Sequence, residues 1–460
     1  MMNLAELVCQ DTEDQSISVR PEPEELRIRT IQCLILADYT NPELYTIETL
    51  MLYNQAEWMT SQDSIIEVSL VLGMIIRLAM SMGIHRDSKA HPLTAFQGEM
   101  RRRIWAMLRQ MDILYSFQLS LPVTIDPKDS NCSFPRNIHD AEFDEHSPTL
   151  PPSKSADQMT EVSYSMAKSR LSIELGKMLA LLESKEPSLD DVVKYKRSWE
   201  EVREHIPPFF QMHYTGPTAN EPLASLRKKA IGIDRVYQIG LCMLYRRFLS
   251  PARLNPALLP HRGACVDAAM TLLNHQAAIY SDIVSYPQHI KNRHISTLTT
   301  HDFFIAGMAI ALDLHYGIEM QPLNRISGDI SLWGYDRTFE MITALKTSIE
   351  FWRLCKDESF EAAKAFGMFS FVLTKVARYM SESGMPFDSS FSNEPLGEEM
   401  SQPGLELTSN GLDGLANFDW VRRTSSIFLY LLTSPVKDLW DSYNDSGADF
   451  NALINGHSPS

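Results

Sequence analysis

The sequence predicts an all-α fold: one large multi-helix domain of antiparallel helix hairpins, with a flexible linker and a tail near the C-terminus. Apolar residues recur at steps of three and four through most of residues 24–382, which is the period of an amphipathic helix. Alternating strand patterns are scarce. Hydrophobic residues form 44% of the 460-residue chain, which is enough to fill a large buried core.

Stretches with helical periodicity follow one another along the chain, separated by breaks rich in Pro, Gly, Asp and Ser. The predicted helices cover residues 24–38, 44–59, 65–83, 95–118, 160–183, 189–206, 223–249, 262–284, 296–317, 336–355, 358–381 and 418–432. The periodicity is lost between residues 122 and 155, so a long loop is expected there.

Two helix boundaries carry specific signals. Gly83 follows an apolar stretch and is a typical helix stop. Thr94 and Gln97 have the spacing of a capping box at the start of helix 95–118, in which each side chain binds the other residue's backbone. That helix is the clearest amphipathic element. Its apolar face comprises Phe96, Met100, Ile104, Leu108, Met111 and Tyr115.

Composition divides the chain into four parts. Residues 1–23 form an N-terminal extension, and residues 24–382 form the helical domain. Residues 383–417 are rich in Ser, Gly, Pro, Asn and Glu, which predicts a flexible linker. Residues 418–460 hold one further helix and a tail in which acidic and bulky apolar residues alternate. Such a tail is typical of an activation segment, although its first part could equally be a core helix.

Charge and targeting signals restrict the class of protein. The formal net charge is −16, so the chain lacks the bulk cationic attraction on which nucleic-acid binding draws, and no direct nucleic-acid binding is predicted. No run of about 18 apolar residues occurs, and no basic start precedes an apolar segment, so neither a membrane span nor a secretory leader is expected. A nuclear or cytoplasmic protein is predicted.

Cysteine and histidine spacing argues against a metal centre. The six cysteines are far apart and form no C-x-x-C pair, so free thiols are expected. His289, His294 and His301 are separated by five and seven residues, whereas helical metal sites use steps of three or four. No metal and no cofactor are therefore predicted.

Two motifs carry a family resemblance. Residues 72–87 read LGMIIRLAMSMGIHRD, and residues 99–105 read EMRRRIW. Asp112 follows on the same helix, and residues 135–140 read PRNIHD. In this order and spacing the segments resemble the fungal-specific transcription factor domain, the regulatory domain of zinc-cluster regulators. Weaker matches, among them LYRRFL at residues 244–249, extend the resemblance over about residues 25–380.

The resemblance is broken at two places. Residues 120–122 read Ser-Leu-Pro where the family has Gly-Arg-Pro. Family members also begin with a six-cysteine binuclear zinc cluster, and here no such cluster precedes the first predicted helix. The chain is therefore expected to lack a DNA-binding module of its own.

The charged residues of the motifs have a structural and a functional interpretation. We expect Arg77 and Asp87 to bond helix ends and neighbouring helices, because buried charges persist when they are paired. The arginines at residues 101–103 could form a nucleic-acid patch, but they point in different directions on one helix. Ion pairs with Glu99 and Asp112 are the favoured interpretation.

Candidate ligand-binding residues come from the large side chains on the matched helices. The resemblance implies an internal pocket, and rings with flexible methionines are suited to line one. The candidates are Trp58, Met74, Trp105, Met107, Tyr115, Tyr245 and Trp352. Most of these rings could equally be ordinary core residues.

Three hypotheses of function remain open. The first is a transcription-regulator-like protein of fungal secondary metabolism that binds a small molecule or a protein partner. The second is the same scaffold recruited as a metabolite-binding protein or as a cyclase or pericyclase of the Diels–Alderase type. No catalytic residue can be named, but catalysis by shape and orientation needs few. The third is a fragment whose zinc cluster is encoded upstream.

Overall fold

The computed structural model describes residues 23–61, 63, 66–87, 93–184, 187–211, 221–285, 297–319 and 333–382. Within these ranges the chain is helical and contains no strand, which confirms the all-α prediction. The predicted linker, the helix at 418–432 and the acidic tail lie outside the described residues, as does most of the N-terminal extension. The division into four parts stays a prediction.

The helices agree closely with the predicted stretches. They are α1 Pro23–Leu36, α2 Thr46–Thr60, α3 Ile66–Ser81, α4 Ala95–Leu119, α5 Ser163–Ser184, α6 Leu189–Glu204, α7 Pro208–Gln211, α8 Glu221–Tyr245, α9 Leu259–Ser285, α10 Thr297–Glu319, α11 Tyr335–Cys355 and α12 Phe360–Glu382. Among the described α-helices, the four-residue α7 is the one that the sequence did not predict.

Helices that follow one another along the chain pack against one another. Close pairs include α2 with α3, α4 with α5, α8 with α9, and α11 with α12. Packing between more distant helices, such as α5 with α8 and α10 with α12, joins these pairs into one body. Within the described ranges no helix is both long and apolar enough to cross a membrane.

Both predicted helix boundaries are confirmed. The Thr94 hydroxyl accepts a hydrogen bond from the Gln97 amide at 3.1 Å, and the Gln97 side chain accepts one from the Thr94 amide at 3.2 Å. Helix α3 ends at Ser81, and Gly83 follows with φ of +71°, a conformation in which glycine carries no steric penalty. The Ile84 amide then donates to the Ala79 carbonyl at 3.0 Å, which closes the helix end.

Two hydrophobic cores fill the domain, and α4 contributes to both. The small core lies among the N-terminal helices and comprises Leu34, Ile47, Leu50, Val68, Leu72, Ile75, Ile76, Ala79, Ile84, Ile104, Trp105, Leu108, Met111, Tyr115 and Ile125. The large core consists of the buried side chains of α5–α12 together with Leu114 and Phe117 of α4. Trp58 of α2 is half-buried and packs against both cores, so it lies at their junction.

The turn after α4 occupies the position at which the family pattern has Gly-Arg-Pro. Ser120 adopts a left-handed conformation, with φ of 58° and ψ of 37°. Glycine enters this region without steric cost, whereas a residue with a Cβ does not. Serine here adopts a conformation that glycine would take more easily.

Asp112 holds the beginning of the long loop. Its carboxylate is buried and accepts hydrogen bonds from the Thr124 amide at 3.0 Å and from the Ile125 amide at 2.9 Å. The expected pairing of Asp112 with the arginines at residues 101–103 is therefore wrong. The loop curls back against α4 and offers two backbone donors that the sequence pattern did not reveal.

Asn137 ties the far part of the long loop together. Its side-chain amide nitrogen donates to the carbonyls of Ser155 and Gln158, each at 3.0 Å, and to that of Lys154 at 3.4 Å. Its side-chain oxygen accepts from the hydroxyls of Thr160 and Ser163 at 2.7 and 2.9 Å. One buried side chain thus joins the loop to the start of α5, which explains why an irregular segment can pack against the helices.

A contact between distant parts of the chain fixes the start of α12. Asp63, which follows α2, accepts hydrogen bonds from the Ser359 hydroxyl at 2.6 Å and from the amides of Phe360 and Glu361 at 3.1 and 3.2 Å. These amides are donors that a helix leaves unsatisfied at its N-terminus. The segment beside the small core is thereby linked directly to the last described helix.

Candidate functional site

The motif residues form a network that clamps the long loop onto α4. The Asp87 carboxylate accepts from Arg102 Nε at 3.1 Å and from the Ser133 amide at 3.0 Å. Trp105 Nε1 donates to the Ser130 hydroxyl at 2.7 Å, and that hydroxyl donates to the His85 carbonyl at 2.9 Å. The structural interpretation of Asp87 is confirmed.

Glu99 is the buried anion of this network, with 0% exposure. It accepts from Arg103 Nε at 3.3 Å and from the Arg136 amide at 3.0 Å, and Arg102 Nη1 lies 3.8 Å from it. Two of the three arginines are therefore engaged in ion pairs, as expected. The expectation for Arg77 is wrong, because its side chain is exposed and makes no bond to a helix end among the described residues.

The structure separates the seven candidate ligand-binding residues into two groups. Trp105 and Tyr115 belong to the small core, and Trp58, Met74 and Met107 pack against it half-buried. Tyr245 and Trp352 lie in the large core, with 2% and 1% exposure. Five of the candidates therefore lie in or against the small core and stay a predicted site, whereas the other two lie in the large core.

The centre of the candidate site is the contact between Trp58 and Tyr115. Their ring centroids lie 5.2 Å apart, with an angle of 35° between the ring planes. The Trp58 indole nitrogen and the Tyr115 hydroxyl are both buried, and neither has a hydrogen-bond partner within the described chain. Burial of the Tyr115 hydroxyl raises its pKa far above the ordinary range, so it stays protonated and can donate a hydrogen bond.

Asn54 is a third polar member that sequence reasoning missed. It lies one helical turn before Trp58 on α2 and has 0% exposure. Neither its side-chain oxygen nor its side-chain nitrogen has a partner among the described residues. The signal available in the sequence was an asparagine one helical turn before a tryptophan, which places both side chains on the same face of α2.

A second group of buried polar side chains lies inside the large core. Unlike the first group, which is neutral, it contains charged side chains. Arg235 Nε of α8 lies 2.8 Å from the Asp302 carboxylate of α10, and both side chains are buried. Burial raises the pKa of Asp302 to about 6, against the opposing effects of Arg235 and Lys168. The neighbouring His301 ring packs edge-on against Phe117 with centroids 5.2 Å apart. These contacts join α10 to α4 and α8.

His301 predicts a measurable dependence of stability on pH. Burial, followed by the charge of Arg246, lowers its pKa to about 4, below its ordinary value of 6.5. A lowered histidine pKa contributes stability that is present above pH 6.5 and is lost as pH falls toward 4. We expect replacement by His301→Gln to remove a pH-dependent contribution of about 3 kcal/mol over that interval.

Urea unfolding of the wild type and of His301→Gln at pH 7, 5.5 and 4 measures this effect. The free energy of unfolding of the wild type should fall relative to that of the variant as the pH is lowered. Asp302 has a raised pKa, so it adds stability as the pH falls from about 6 to 4 and opposes the loss caused by His301. Since His301→Gln lacks that loss, the variant alone should gain stability over this interval. Parallel curves for the two proteins would show that His301 is not held neutral.

A third polar group surrounds the carboxylate of Asp313, which is fully paired. Asp313 of α10 accepts from Arg262 Nε and Nη2 at 2.6 and 2.8 Å and from Trp333 Nε1 at 2.7 Å. Arg253 Nη2 lies 3.1 Å from the same carboxylate. This arrangement of one buried anion with two buried cations fixes α10 against α9 and the segment before α11, and it is a structural network.

The described residues contain no group of three or more His, Cys, Asp or Glu side chains able to hold a metal ion. Of the three histidines considered from the sequence, His289 and His294 lie outside the described residues. The described cysteines are free thiols, in agreement with their expected state. The arrangement around Trp58 can therefore be assessed by hydrogen bonding and apolar contact alone.

Comparison with known proteins shows that the chain is similar to fungal transcription factors. Residues 8–204 match the family model described as the fungal specific transcription factor domain. A Zn(2)-C6 fungal-type transcription factor of Monascus ruber, pigI, is 32% identical over 372 residues, which cover 79% of this chain and 45% of that protein. The pyrrolocin cluster transcription factor fsdR of a fungal species is 32% identical over 76% of this chain and 46% of its own length.

A further relative is also a cluster transcription factor. The equisetin cluster transcription factor of Fusarium heterosporum is 28% identical over 81% of this chain and 53% of its own length. The chain thus spans about half the length of the curated relatives it matches. No solved structure matches the chain.

Proposed function

Since this chain carries the fungal specific transcription factor domain, we propose that it regulates transcription of the genes of a secondary-metabolite cluster. The helical domain is the part that receives the signal, by binding a small-molecule ligand or a protein partner. The protein is proposed to act in the nucleus, where such regulation takes place.

One observation carries this proposal: relatives that match about three quarters of the chain bear the names of secondary-metabolite cluster regulators. The match to the relatives extends well beyond the motif region at residues 72–140 and therefore includes the helices of the large core. Because the matched segment is about half of each relative, the activity of those whole proteins is transferred to this chain only as part of the proposal.

The geometry supports a sensing role for the helical domain rather than contact with nucleic acid. Arg102 and Arg103, two of the three arginines of the basic run, are paired with Asp87, Glu99 and Asp140, so their charges are already neutralised. The cluster around Trp58, Met74, Trp105, Met107 and Tyr115 combines aromatic and flexible apolar side chains, the usual lining of a small-molecule site.

Deletion of the gene, followed by transcript counting and metabolite profiling in the same cultures, tests the proposal. We expect the transcripts of neighbouring biosynthetic genes to fall together and their product to disappear. Reintroduction of the intact gene at another locus is the control and should restore both. Steady transcripts with loss of one product and accumulation of its precursor would instead favour the enzyme hypothesis and contradict a regulatory role.

A further inference from the structure

Three side chains beside the small core have buried polar atoms without hydrogen-bond partners. They are Asn54 and Trp58 of α2 and Tyr115 of α4, and four of their nitrogen and oxygen atoms are unsatisfied within the described chain. Burying such atoms costs about as much free energy as a lost hydrogen bond, so folded proteins rarely leave them unpaired. A group of three in one place indicates that something outside the chain completes it.

The three side chains lie close enough to contact one small molecule. Trp58 and Tyr115 are in ring contact at 5.2 Å, and Asn54 lies one turn from Trp58 on the same face of α2. Together they offer four N–H or O–H donors, two from the amide, one from the indole and one from the phenol, against one obligate acceptor, the Asn54 side-chain oxygen. They therefore suit a molecule that presents a hydrogen-bond acceptor.

The Tyr115 hydroxyl has no neighbouring charge that would balance a charged ligand. Burial is the cause of the raised pKa of Tyr115, and no charged side chain acts on its hydroxyl. The buried members of the small core are apolar apart from the Trp105 indole N–H and the Tyr115 hydroxyl, and the Trp105 N–H is already bound to Ser130. Because an isolated ion in such a place would have no counter-charge, a neutral molecule is the class that fits.

The small core to which Tyr115 belongs is bordered by flexible apolar side chains. Half-buried methionines pack against it: Met51 of α2, Met74 and Met80 of α3, Met82 of the turn after α3, and Met107 of α4. Methionine is flexible and polarisable, so it can reshape around an apolar body more easily than branched side chains. A bound water molecule would accept hydrogen bonds from the donors, but it has no apolar surface to lie against these methionines.

We propose that Asn54, Trp58 and Tyr115 bind a neutral organic molecule by donating hydrogen bonds to its carbonyl-type oxygen, while its apolar body lies against the methionines of the small core. The inference rests on the ligand-responsive function proposed above and names the chemical class of the ligand. Trp58 also contacts the large core, so an occupant of this site would touch the junction of the two cores.

Two probes of matched shape test the role of the acceptor. 2-Acetylnaphthalene carries a carbonyl oxygen, and 2-ethylnaphthalene has the same size without one. Calorimetric titration of the full chain should show that the ketone binds about tenfold more tightly, which corresponds to one or two hydrogen bonds. In Tyr115→Phe and Trp58→Phe the two probes should bind more nearly alike, because donors are lost while the apolar wall stays.

Tyr245→Phe is the matched control, because it removes a tyrosine hydroxyl from the large core. It should leave the ratio of the two dissociation constants unchanged. The ligand-free proteins add a second readout. Removing the unpartnered Tyr115 hydroxyl should leave the free energy of unfolding unchanged or raise it, whereas loss of a hydroxyl held by ordered water would lower it.

Several outcomes would overturn the inference. These are equal binding of both probes to the wild type, no binding of either, or a lower free energy of unfolding for ligand-free Tyr115→Phe. None of these outcomes tests the regulatory function, which is tested separately by counting transcripts after gene deletion. Conversely, the wild type could discriminate between the probes while gene deletion leaves the transcripts unchanged. That result would support the binding site and contradict the proposed function.

Discussion

Replacing Asp313 with alanine is expected to lower the free energy of unfolding by about 3–5 kcal/mol, because it leaves buried charges without their partner. Arg253 and Arg262, with 3% and 2% exposure, both pair with this carboxylate. The Trp333 indole N–H also loses its acceptor. Urea unfolding followed by circular dichroism measures the loss, provided that the variant is expressed at low temperature.

An exposed ion pair on a neighbouring helix supplies the control. Asp267 of α9 pairs with Arg337 of α11, but its side chain is 70% exposed. Water already solvates that carboxylate, so Asp267→Ala should cost less than about 1 kcal/mol. Equal losses in the two variants would show that burial does not set the energy of the Asp313 network.

The same network predicts an acid-sensitive contribution. Burial by itself would raise the pKa of Asp313, but Arg262, Arg253 and Trp333 outweigh it and lower the pKa below the ordinary value. A lowered carboxyl pKa gives stability that is present near neutral pH and is lost as pH falls through the folded-state pKa. The difference between the wild type and Asp313→Ala should therefore shrink in acid.

Replacing Asn137 with alanine is expected to cost about 3 kcal/mol, since it deletes several buried hydrogen bonds at once. Its side chain joins the carbonyls of Ser155 and Gln158 to the hydroxyls of Thr160 and Ser163. Without it, the loop before α5 should open locally. Hydrogen exchange of residues 137–163 and urea unfolding measure the two effects.

Asn131 in the same loop is the control. It makes one exposed hydrogen bond, accepting from the Asp87 amide at 3.1 Å, so Asn131→Ala should change the free energy of unfolding by less than about 1 kcal/mol. If both variants unfold alike, or if exchange in the loop does not change in Asn137→Ala, then Asn137 does not anchor the loop.

Some of the candidate site could be predicted from the sequence. The helical period placed Tyr115 on the buried face of α4, and the aromatic residues on matched helices included Trp58. Asn54 was not predicted, because the sequence does not show whether a polar residue within a helix faces water or the core. Tyr245 and Trp352 were grouped with the others on residue type alone, and the packing of the helices places them in the large core.

The sequence by itself determined the helices, their ends at Gly83 and Thr94, and the motif segments, because these depend on contacts within one or two turns of the chain. Helical spacing also predicted the pair of Glu99 with Arg103, but the tertiary structure alone decided which polar groups from distant parts of the chain meet. It gave Asp112 the amides of Thr124 and Ile125 in place of an arginine, left Arg77 in solvent, and placed Asp63 on the start of α12. The physical reason is that a buried polar group takes whichever partner the fold brings within about 3 Å, and that distance is set by helix packing rather than by sequence spacing.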